Sequence, residues 1–283
     1  MSLNHEILNN VTKSLSEDIG TDDLTALLIK SEESAAATVI CREKSILCGT
    51  QWFDTCFKQI SPQTEIHWFA EEGDVISAGQ KICEIKGNAR SLLTAERSAL
   101  NFLQTLSAIA TQTKSYVDEV LGTGALIMDT RKTLPGLRLA QKYAVRCGGG
   151  LNHRLGLYDG ILIKENHIMS AGGIESALKA AELIAPKGLI IQIEVETRDE
   201  LFKALNAGAK MILLDNFSLE DLSYAVTLTA DLTNKETVLE ASGGITLGNV
   251  RKIAETGVDR ISIGSITKHV KAIDFSMNFI NYN

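Results

Sequence analysis

The stretch "LIIQIEVETRDELFKALNAGAKMILLD", residues 189–215, consists of an apolar run, a helical segment and a second apolar run. The two runs, 189–196 and 210–215, are short and rich in Ile, Leu and Val, which is typical of strands buried on both faces. The segment between them places its apolar residues at helical spacing. Because parallel strands need a crossover connection, this order predicts a parallel β/α unit.

The same alternation recurs throughout the second half of the chain. Six apolar runs are the candidate strands: 125–130, 159–164, 189–196, 210–215, 237–242 and 260–265. Amphipathic helical segments lie between them. Since a closed barrel of this kind has eight strands, the pattern predicts an α/β fold with an open, incomplete parallel barrel.

The first half of the chain has a different pattern. Residues 34–50 and 65–87 contain β-rich runs separated by glycine turns, which favours a small sheet. Residues 92–121 contain neither Gly nor Pro and place apolar side chains at helical spacing, with Thr94 as the expected N-cap. They predict a long helix that links the two halves.

Composition limits the possible functions. The chain has 283 residues, 45% of them hydrophobic, and a formal net charge of −7, which is ordinary for a soluble globular protein. We expect no membrane span, because no apolar run approaches about 18 residues. We expect no signal peptide, because residues 1–20 mix polar and apolar side chains without a charged segment followed by an apolar one. A pI near 5.4 argues against a general nucleic-acid-binding protein. The five cysteines form no CxxC pair, so they predict reduced cytosolic thiols.

One segment is basic in spite of this acidic balance. Residues 129–167 contain seven lysines and arginines against three carboxylates, a local charge of +4. Arginine grips a carboxylate through two parallel hydrogen bonds, whereas lysine acts as a point charge. As a set, Arg131, Lys132, His153 and Arg154 predict a pocket for a small anion, although each one alone is typical of a solvated surface charge.

Titratable residues also fall at the predicted strand ends, where barrel enzymes build their sites. They are Asp129, Lys164 with Glu165, Glu194 with Glu196, Asp215 and Glu240. Glu194 and Asp215, at neighbouring strand ends, could hold Mg²⁺, act as general acid or base, or pair with nearby cations. The glycine loops 242–245 and 263–265 predict a phosphate site next to helix N-termini, with tight turns as the alternative.

The chain resembles the quinolinate phosphoribosyltransferase family in motifs that occur in the same order. They are "TAERSALNFLQ" (94–104), "DTRKTLPGLRLAQKYAVRCGGGLNHRLGLYDGILIKENHI" (129–168), "IEVET" (193–197), "ILLDN" (212–216), "LEASGGI" (239–245) and "ISIGSIT" (261–267). The likeness covers most of the chain, and the long central motif is highly specific.

This resemblance implies a fold and an assembly. The expected fold has an N-terminal α/β sandwich domain over 1–115, including the long linking helix, and an open, incomplete parallel α/β barrel over 116–269. The C-terminal tail, 270–283, is expected to pack back on the first domain. The implied assembly is a homodimer or a larger homo-oligomer, with no nucleic-acid or membrane partner.

The implied reaction is transfer of a phosphoribosyl group from 5-phosphoribosyl 1-pyrophosphate (PRPP) to quinolinate, with decarboxylation. Its products are nicotinate mononucleotide, pyrophosphate and CO₂, on the cytoplasmic route to NAD, and its cofactor is Mg²⁺. By matching motifs, the resemblance assigns quinolinate binding to Arg97, Arg131, His153, Arg154 and Lys164, with Arg97 supplied by a neighbouring subunit. PRPP binding falls on Lys132, Glu194, Asp215, Ser242, Gly243, Gly244, Gly264 and Ser265.

The implied catalytic residues are Lys132, Lys164, Glu194 and Asp215. Glu194 and Asp215 are also the implied Mg²⁺ ligands, directly or through water. Glu196 stays open as the alternative to Glu194, because the two acids are only two positions apart.

Three other functions are compatible with parts of the pattern. A paralogue of the same fold that accompanies molybdate-transport genes would depart from the central cationic motif, which this chain keeps. A non-catalytic phosphate-binding or anion-binding protein would not need both Glu194 and Asp215. A barrel lyase or isomerase acting on a phosphorylated sugar would keep the glycine loops without needing the cationic residues of 131–164.

Overall fold

The computed structural model describes residues 2–280, which form two compact units. Within the described residues, the first unit comprises 2–114, 133–149 and 266–280, and the second comprises 115–132 and 150–265. No helix in 2–280 is both long enough and apolar enough to cross a membrane.

The secondary structure elements are as follows. The helices are α1 (Leu3–Ile19), α2 (Thr50–Ile60), α3 (Ala89–Glu119), α4 (Arg138–Cys147), α5 (Glu165–Ala171), α6 (Ile174–Ile184), α7 (Arg198–Asn206), α8 (Leu219–Thr233), α9 (Val250–Ala254) and α10 (Ser265–Lys268), with a short 3-10 helix at Ala26–Leu28. The strands are β1 (Ser34–Cys41), β2 (Ser45–Ile46), β3 (Glu65–Trp68), β4 (Val75–Ile76), β5 (Lys81–Asn88), β6 (Leu126–Met128), β7 (Ile161–Ile163), β8 (Ile191–Val195), β9 (Met211–Asp215), β10 (Val238–Ser242), β11 (Arg260–Ser262) and β12 (Phe275–Phe279).

The first unit is built on an antiparallel sheet with the strand order β12-β1-β5-β3. Val39 in β1 lies opposite Cys83 of β5 on one side and Met277 of β12 on the other. Helix α2 buries Trp52 and Phe53 completely, as expected for large apolar side chains in a core. The predicted small α/β domain is therefore confirmed. Residues 281–283 of the expected tail lie outside the described residues.

The long helix begins earlier than the sequence predicts. Its first residue is Ala89, and the Asn88 side chain accepts a hydrogen bond from the Ser91 backbone N–H at 3.1 Å, which is the geometry of an N-cap. Thr94 lies inside the helix, where its hydroxyl contacts the Arg90 carbonyl and the Asp23 carboxylate. The prediction of Thr94 as the N-cap is therefore wrong.

The second unit contains a parallel sheet with the strand order β6-β11-β10-β9-β8-β7. All six predicted strands are confirmed, and each is shorter than its predicted range. The first two strands in sequence, β6 and β7, occupy the two edges of this sheet. The barrel is consequently open, as the count of six strands predicts.

Strand β8 carries two chemically different faces. Side chains alternate along a strand, so Ile193 and Val195 share one face and Gln192 and Glu194 share the other. Ile193 is fully buried, and so is Gln192, in spite of its polar side chain. Gln192 donates a hydrogen bond to Glu240 of β10 at 3.1 Å, which places a polar network on the face that also carries Glu194.

The glycine that ends α4 is tightly enclosed. An added Cβ at Gly148 would lie 2.3 Å from the Ala110 carbonyl oxygen and 2.7 Å from Thr113 Cβ. We predict that Gly148→Ala lowers the free energy of unfolding by about 1–3 kcal/mol, because backbone and side chain must both shift. Urea denaturation measures this change.

The matched control for this substitution is Gly248→Ala. The nearest atom to an added Cβ at Gly248 is Thr246 Oγ1, at 3.8 Å. We expect this variant to change the free energy of unfolding by no more than about 0.5 kcal/mol. Equal destabilisation by the two substitutions would contradict the packing argument.

Candidate active site

The carboxyl ends of the parallel strands bring the predicted site residues of the second unit together. In the register of the sheet, Asp215 of β9 lies beside Ser242 of β10, and Ser242 lies beside Ser262 of β11. Lys164 follows β7 directly. Glu194 lies one residue before the end of β8. Barrel enzymes place their sites at this edge.

Two lysines and three acids form the first group of charges, here called the acid–lysine cluster: Lys132, Lys164, Glu194, Glu196 and Asp215. Lys164 Nζ lies 2.5 Å from Glu194 Oε2. Carboxylate oxygens of the three acids all lie within 4.8 Å of one another. Burial raises the pKa of Asp215, and the charge of Glu194 raises it further, whereas Lys164 and Lys132 oppose this rise.

These three acids have the chemistry of a site for a hard cation. Mg²⁺ prefers oxygen ligands and is bound in proteins through one or two carboxylates. Burial and, after it, repulsion from the Glu194 carboxylate raise the pKa of Asp215, and a bound cation would relieve that repulsion. Glu194 is mostly buried and paired with Lys164, whereas Glu196 is exposed. Both have an oxygen within reach of Asp215.

The second group, here called the arginine cluster, consists of Arg131, His153 and Arg154. Arg154 Nη1 donates to the Gly160 carbonyl at 3.0 Å. Burial lowers the pKa of Arg154, and the charge of Arg131 lowers it further, whereas Asp159 raises it. Two guanidinium groups that repel each other in a half-buried position favour a bound anion between them.

Buried and half-buried carboxylates shape the loop that carries this cluster. Asp129 is fully buried. It accepts hydrogen bonds from the His153 backbone N–H at 2.8 Å and from the Asn152 side chain at 2.6 Å. Asp159 accepts from the backbone N–H groups of Leu155 and Gly156. The loop conformation is thus fixed by charge-assisted hydrogen bonds on both sides of Arg154.

Two of the predicted phosphate-loop glycines permit close approaches. Gly243 has a φ of +98°, and an added Cβ would lie 2.1 Å from Asn216 Oδ1. An added Cβ at Gly264 would lie 2.9 Å from Lys132 Cδ. Glycine at 264 therefore lets Lys132 of the acid–lysine cluster lie against the last loop.

The helix expected after the loop 242–245 begins later than predicted. Asn249 accepts a hydrogen bond from the Thr246 backbone N–H and donates to the Gly244 carbonyl, so that the chain turns before α9 starts at Val250. The expected helix N-terminus next to this loop is therefore absent there. Helix α10 does follow the last loop directly, starting at Ser265, whose hydroxyl oxygen is buried without a hydrogen-bond partner in the described chain.

Arg97 belongs to the first unit, on α3. Its side chain is 59% exposed and approaches the Glu96 carboxylate no closer than 4.0 Å. An exposed arginine of this kind is available to a ligand or to another chain.

Sequence reasoning missed some residues of the site and misplaced one. Gln192 is a single polar residue within an apolar run, and Asn216 has a left-handed φ of 57°, which asparagine tolerates better than most residues. The only sequence signal for Asn216 was its position directly after Asp215 at a predicted strand end. Glu240 was predicted at a strand end, but it lies in the middle of β10 and is fully buried. Its position two places before Ser242 was the available signal.

Comparison with known proteins supports one family. Models of the N-terminal and C-terminal domains of quinolinate phosphoribosyl transferase match residues 22–107 and 109–278. The probable nicotinate-nucleotide pyrophosphorylase [carboxylating] of Bacillus subtilis is 42% identical over 93% of this chain and 89% of its own length. The chloroplastic enzyme of the same name from Oryza sativa is 40% identical over 94% of this chain and 76% of its own length.

A solved structure agrees with the sequence comparisons. The nicotinate-nucleotide pyrophosphorylase from Francisella tularensis superposes with a TM-score of 0.93 and 46% identity, over 99% of this chain and 98% of that one. Similarity of this extent, in both domains and along nearly the whole length, establishes that the chain belongs to the quinolinate phosphoribosyltransferase family.

Proposed function

We propose that this protein transfers the phosphoribosyl group of PRPP to quinolinate and releases pyrophosphate and CO₂, with nicotinate mononucleotide as the product for NAD biosynthesis. The observation that carries the proposal is the position of β8 between two charged groups. Gln192 contacts His153 of the arginine cluster, and Glu194 contacts Lys164 of the acid–lysine cluster. Both side chains are on one face of β8, about 7 Å apart along the strand.

The arginine cluster suits quinolinate, a pyridine ring with two adjacent carboxylates. Arg131 and Arg154 can each grip a carboxylate through paired hydrogen bonds. Lys164 adds a point charge from the neighbouring strand end. We include His153 in this pocket, and we include Arg97 as a residue supplied by a second subunit of a homodimer or larger assembly. Support for Arg97 is its exposed side chain and its place in the motif "TAERSALN".

The acid–lysine cluster and the glycine loops suit PRPP. Lys132 lies against Gly264, where a phosphate could contact both the lysine and backbone N–H groups. The loop of Ser242, Gly243 and Gly244, together with Ser265, is proposed for the 5-phosphate. Glu194 and Asp215 are proposed for the ribose hydroxyls and the cofactor.

The proposed cofactor is Mg²⁺, held by Asp215 with Glu194 or Glu196, directly or through water. When bound, it neutralises charge that develops on the departing pyrophosphate. The three carboxylates within 4.8 Å of one another support this assignment. Lys132 and Lys164 limit the negative charge of the same cluster before any cation binds.

The chemistry then needs positioning more than a covalent nucleophile. The ring nitrogen of quinolinate attacks C1 of the ribose while the bond from C1 to the pyrophosphate oxygen breaks. The carboxylate beside the positively charged nitrogen leaves as CO₂. Its bonding electrons remain on the ring carbon, which then takes up a proton. Arg131, Arg154 and Lys164 hold the dicarboxylate in line with C1, and Lys132 stabilises phosphate charge.

We also propose that the protein acts in the cytoplasm. All five of its cysteines are free thiols, and free thiols persist in reducing compartments. Plant relatives carry the names of other compartments, the chloroplast among them.

Removal of Lys164 tests the assignment of the pocket. We predict that Lys164→Ala lowers kcat/KM for quinolinate by about 10²–10³-fold, because a cation is lost from the pocket and Glu194 loses its partner. The assay follows nicotinate mononucleotide formed from quinolinate and PRPP. The control is Lys179→Ala, whose exposed lysine pairs with the exposed Glu175; it should retain full activity. Similar activity in the two variants would contradict the assignment.

Removal of one carboxylate tests the cation site. We predict that Asp215→Asn raises the Mg²⁺ concentration for half-maximal activity by about tenfold or more, because a ligand is lost. Chelation of Mg²⁺ should abolish activity of the native protein reversibly. Asp231→Asn, at an exposed position on α8, is the control and should leave the Mg²⁺ dependence unchanged. Full activity in the presence of a chelator would contradict the proposal.

A further inference from the structure

A buried carboxyl group lies behind the arginine cluster, and the proposed chemistry does not use it. Glu240 is fully buried in the middle of β10, and its Oε1 has no hydrogen-bond partner in the described chain. Burying a carboxyl group is unfavourable unless it is well paired. Apolar residues are usual at such positions of a parallel sheet, so a carboxyl group here requires a reason.

Hydrogen bonds connect this carboxyl group to His153 through one intermediate side chain. His153 Nε2 lies 2.9 Å from Gln192 Oε1, and Gln192 Nε2 donates to Glu240 Oε2 at 3.1 Å. The other carboxylate oxygen, Glu240 Oε1, is 3.7 Å from His153 Nε2. On the opposite side of the imidazole ring, the Arg154 backbone N–H lies 2.8 Å from Nδ1.

The direction of every hydrogen bond in this network follows from the backbone N–H of Arg154. A backbone N–H can only donate, so His153 Nδ1 is the acceptor and carries no proton. The proton of a neutral ring is then on Nε2 and is donated to Gln192 Oε1. The Gln192 amide NH₂ group consequently faces Glu240, and Glu240 Oε2 accepts its hydrogen bond.

We propose that Glu240 and Gln192 are positioning residues that hold His153 as the Nε2–H tautomer, and that His153 in turn fixes the backbone of Arg154. The His153 backbone is already held by buried Asp129. The backbone is thus held by the residue that follows β6, and the ring is held from β8. In this state the ring accepts a hydrogen bond from the Arg154 backbone N–H, so that within the arginine cluster Arg131 and Arg154 grip the substrate carboxylates and His153 sets the position of Arg154.

The first test is the protonation pattern of the His153 ring, measured by ¹⁵N NMR on protein with labelled histidine rings. The chain has five histidines, and His153→Gln identifies the signal to be followed. At neutral pH the native protein should show an unprotonated Nδ1 and a protonated Nε2 at His153. A doubly protonated ring, or an Nδ1–H tautomer, would overturn the inference.

The second test disrupts the hydrogen bonds that connect Glu240 through Gln192 to the His153 ring. Glu240→Gln keeps the shape and removes the charge, so that Gln192 is no longer held in one orientation. Gln192→Met removes the acceptor from His153 altogether. In both variants the ring loses its fixed acceptor at Nε2 and is free to rotate away from the Arg154 backbone N–H, so the His153 signal should shift toward a mixture of tautomers. If Gln192→Met does not fold, the near-isosteric Glu240→Gln decides; an unchanged His153 signal in folded Glu240→Gln would overturn the inference.

The kinetic readout rests on the proposed function. The KM for quinolinate should rise about tenfold in these variants, while kcat and the KM for PRPP change by no more than about twofold. The exchange variant, Gln192→Glu with Glu240→Gln, keeps an acceptor beside His153 and should restore both the tautomer and the KM. Failure of the exchange to restore either one would count against a positioning role.

A stability control separates positioning from general damage to the sheet. Thr237→Val removes a buried hydrogen bond from Thr237 Oγ1 to the Ala209 carbonyl in the same unit. It should lower the thermal unfolding temperature and leave the His153 signal and the KM unchanged. Native protein with the predicted tautomer but without turnover of quinolinate would contradict the proposed function, not this inference.

Discussion

Parallel pairing of the six strands is the constraint on which the rest of the second unit depends. In a parallel sheet every strand ends at the same edge, so the residues that follow each strand meet there whatever their separation in sequence. Lys164, Glu194 and Asp215 come from three successive strands, β7, β8 and β9, and lie in one cluster. A slip of one residue in β8 would exchange its polar and apolar faces and would remove both Gln192 and Glu194 from the site.

Charge compensation is the second principle of the site. Several of its charged groups have a neighbour of opposite charge or a set of oriented hydrogen bonds. Lys164 is paired with Glu194, and buried Asp129 is satisfied by donors from its neighbouring loop. Like charges also gather locally, with two neighbouring guanidinium groups on one side and three carboxylates on the other. The two guanidinium groups favour an anion, which a dicarboxylate provides. The three carboxylates favour a cation, which Mg²⁺ bound to pyrophosphate provides.

Much of the fold could be predicted from sequence because the relevant signals are long and repeated. Apolar runs alternating with amphipathic helices define the strands, and six such runs already indicate an open barrel. Helix starts were harder to predict than strands, because the start of a helix depends on a single capping side chain. Asn88 ends a strand and caps a helix at the same time, and the β-rich pattern that reaches residue 87 does not show that a helix starts there.

The site was predictable to the extent that its residues follow strand ends or form long motifs. Glu194 and Asp215 do so, and the structure brings them together. Gln192 has no such signal, because a single glutamine within an apolar run does not reveal which partner makes it stable there. Glu240 has a signal that pointed to the wrong place: its role depends on the register of β10 with its neighbours, and this register is a property of the folded sheet.

The most direct test of the central claim is a paired turnover measurement with two pyridine acids. The native protein would be incubated with PRPP and Mg²⁺ together with either quinolinate or nicotinate, and both nicotinate mononucleotide and CO₂ would be followed. A pocket built for two adjacent carboxylates predicts product and an equal amount of CO₂ from quinolinate, and no product from nicotinate. Turnover of nicotinate at a comparable rate, or binding of PRPP without product from quinolinate, would contradict this account.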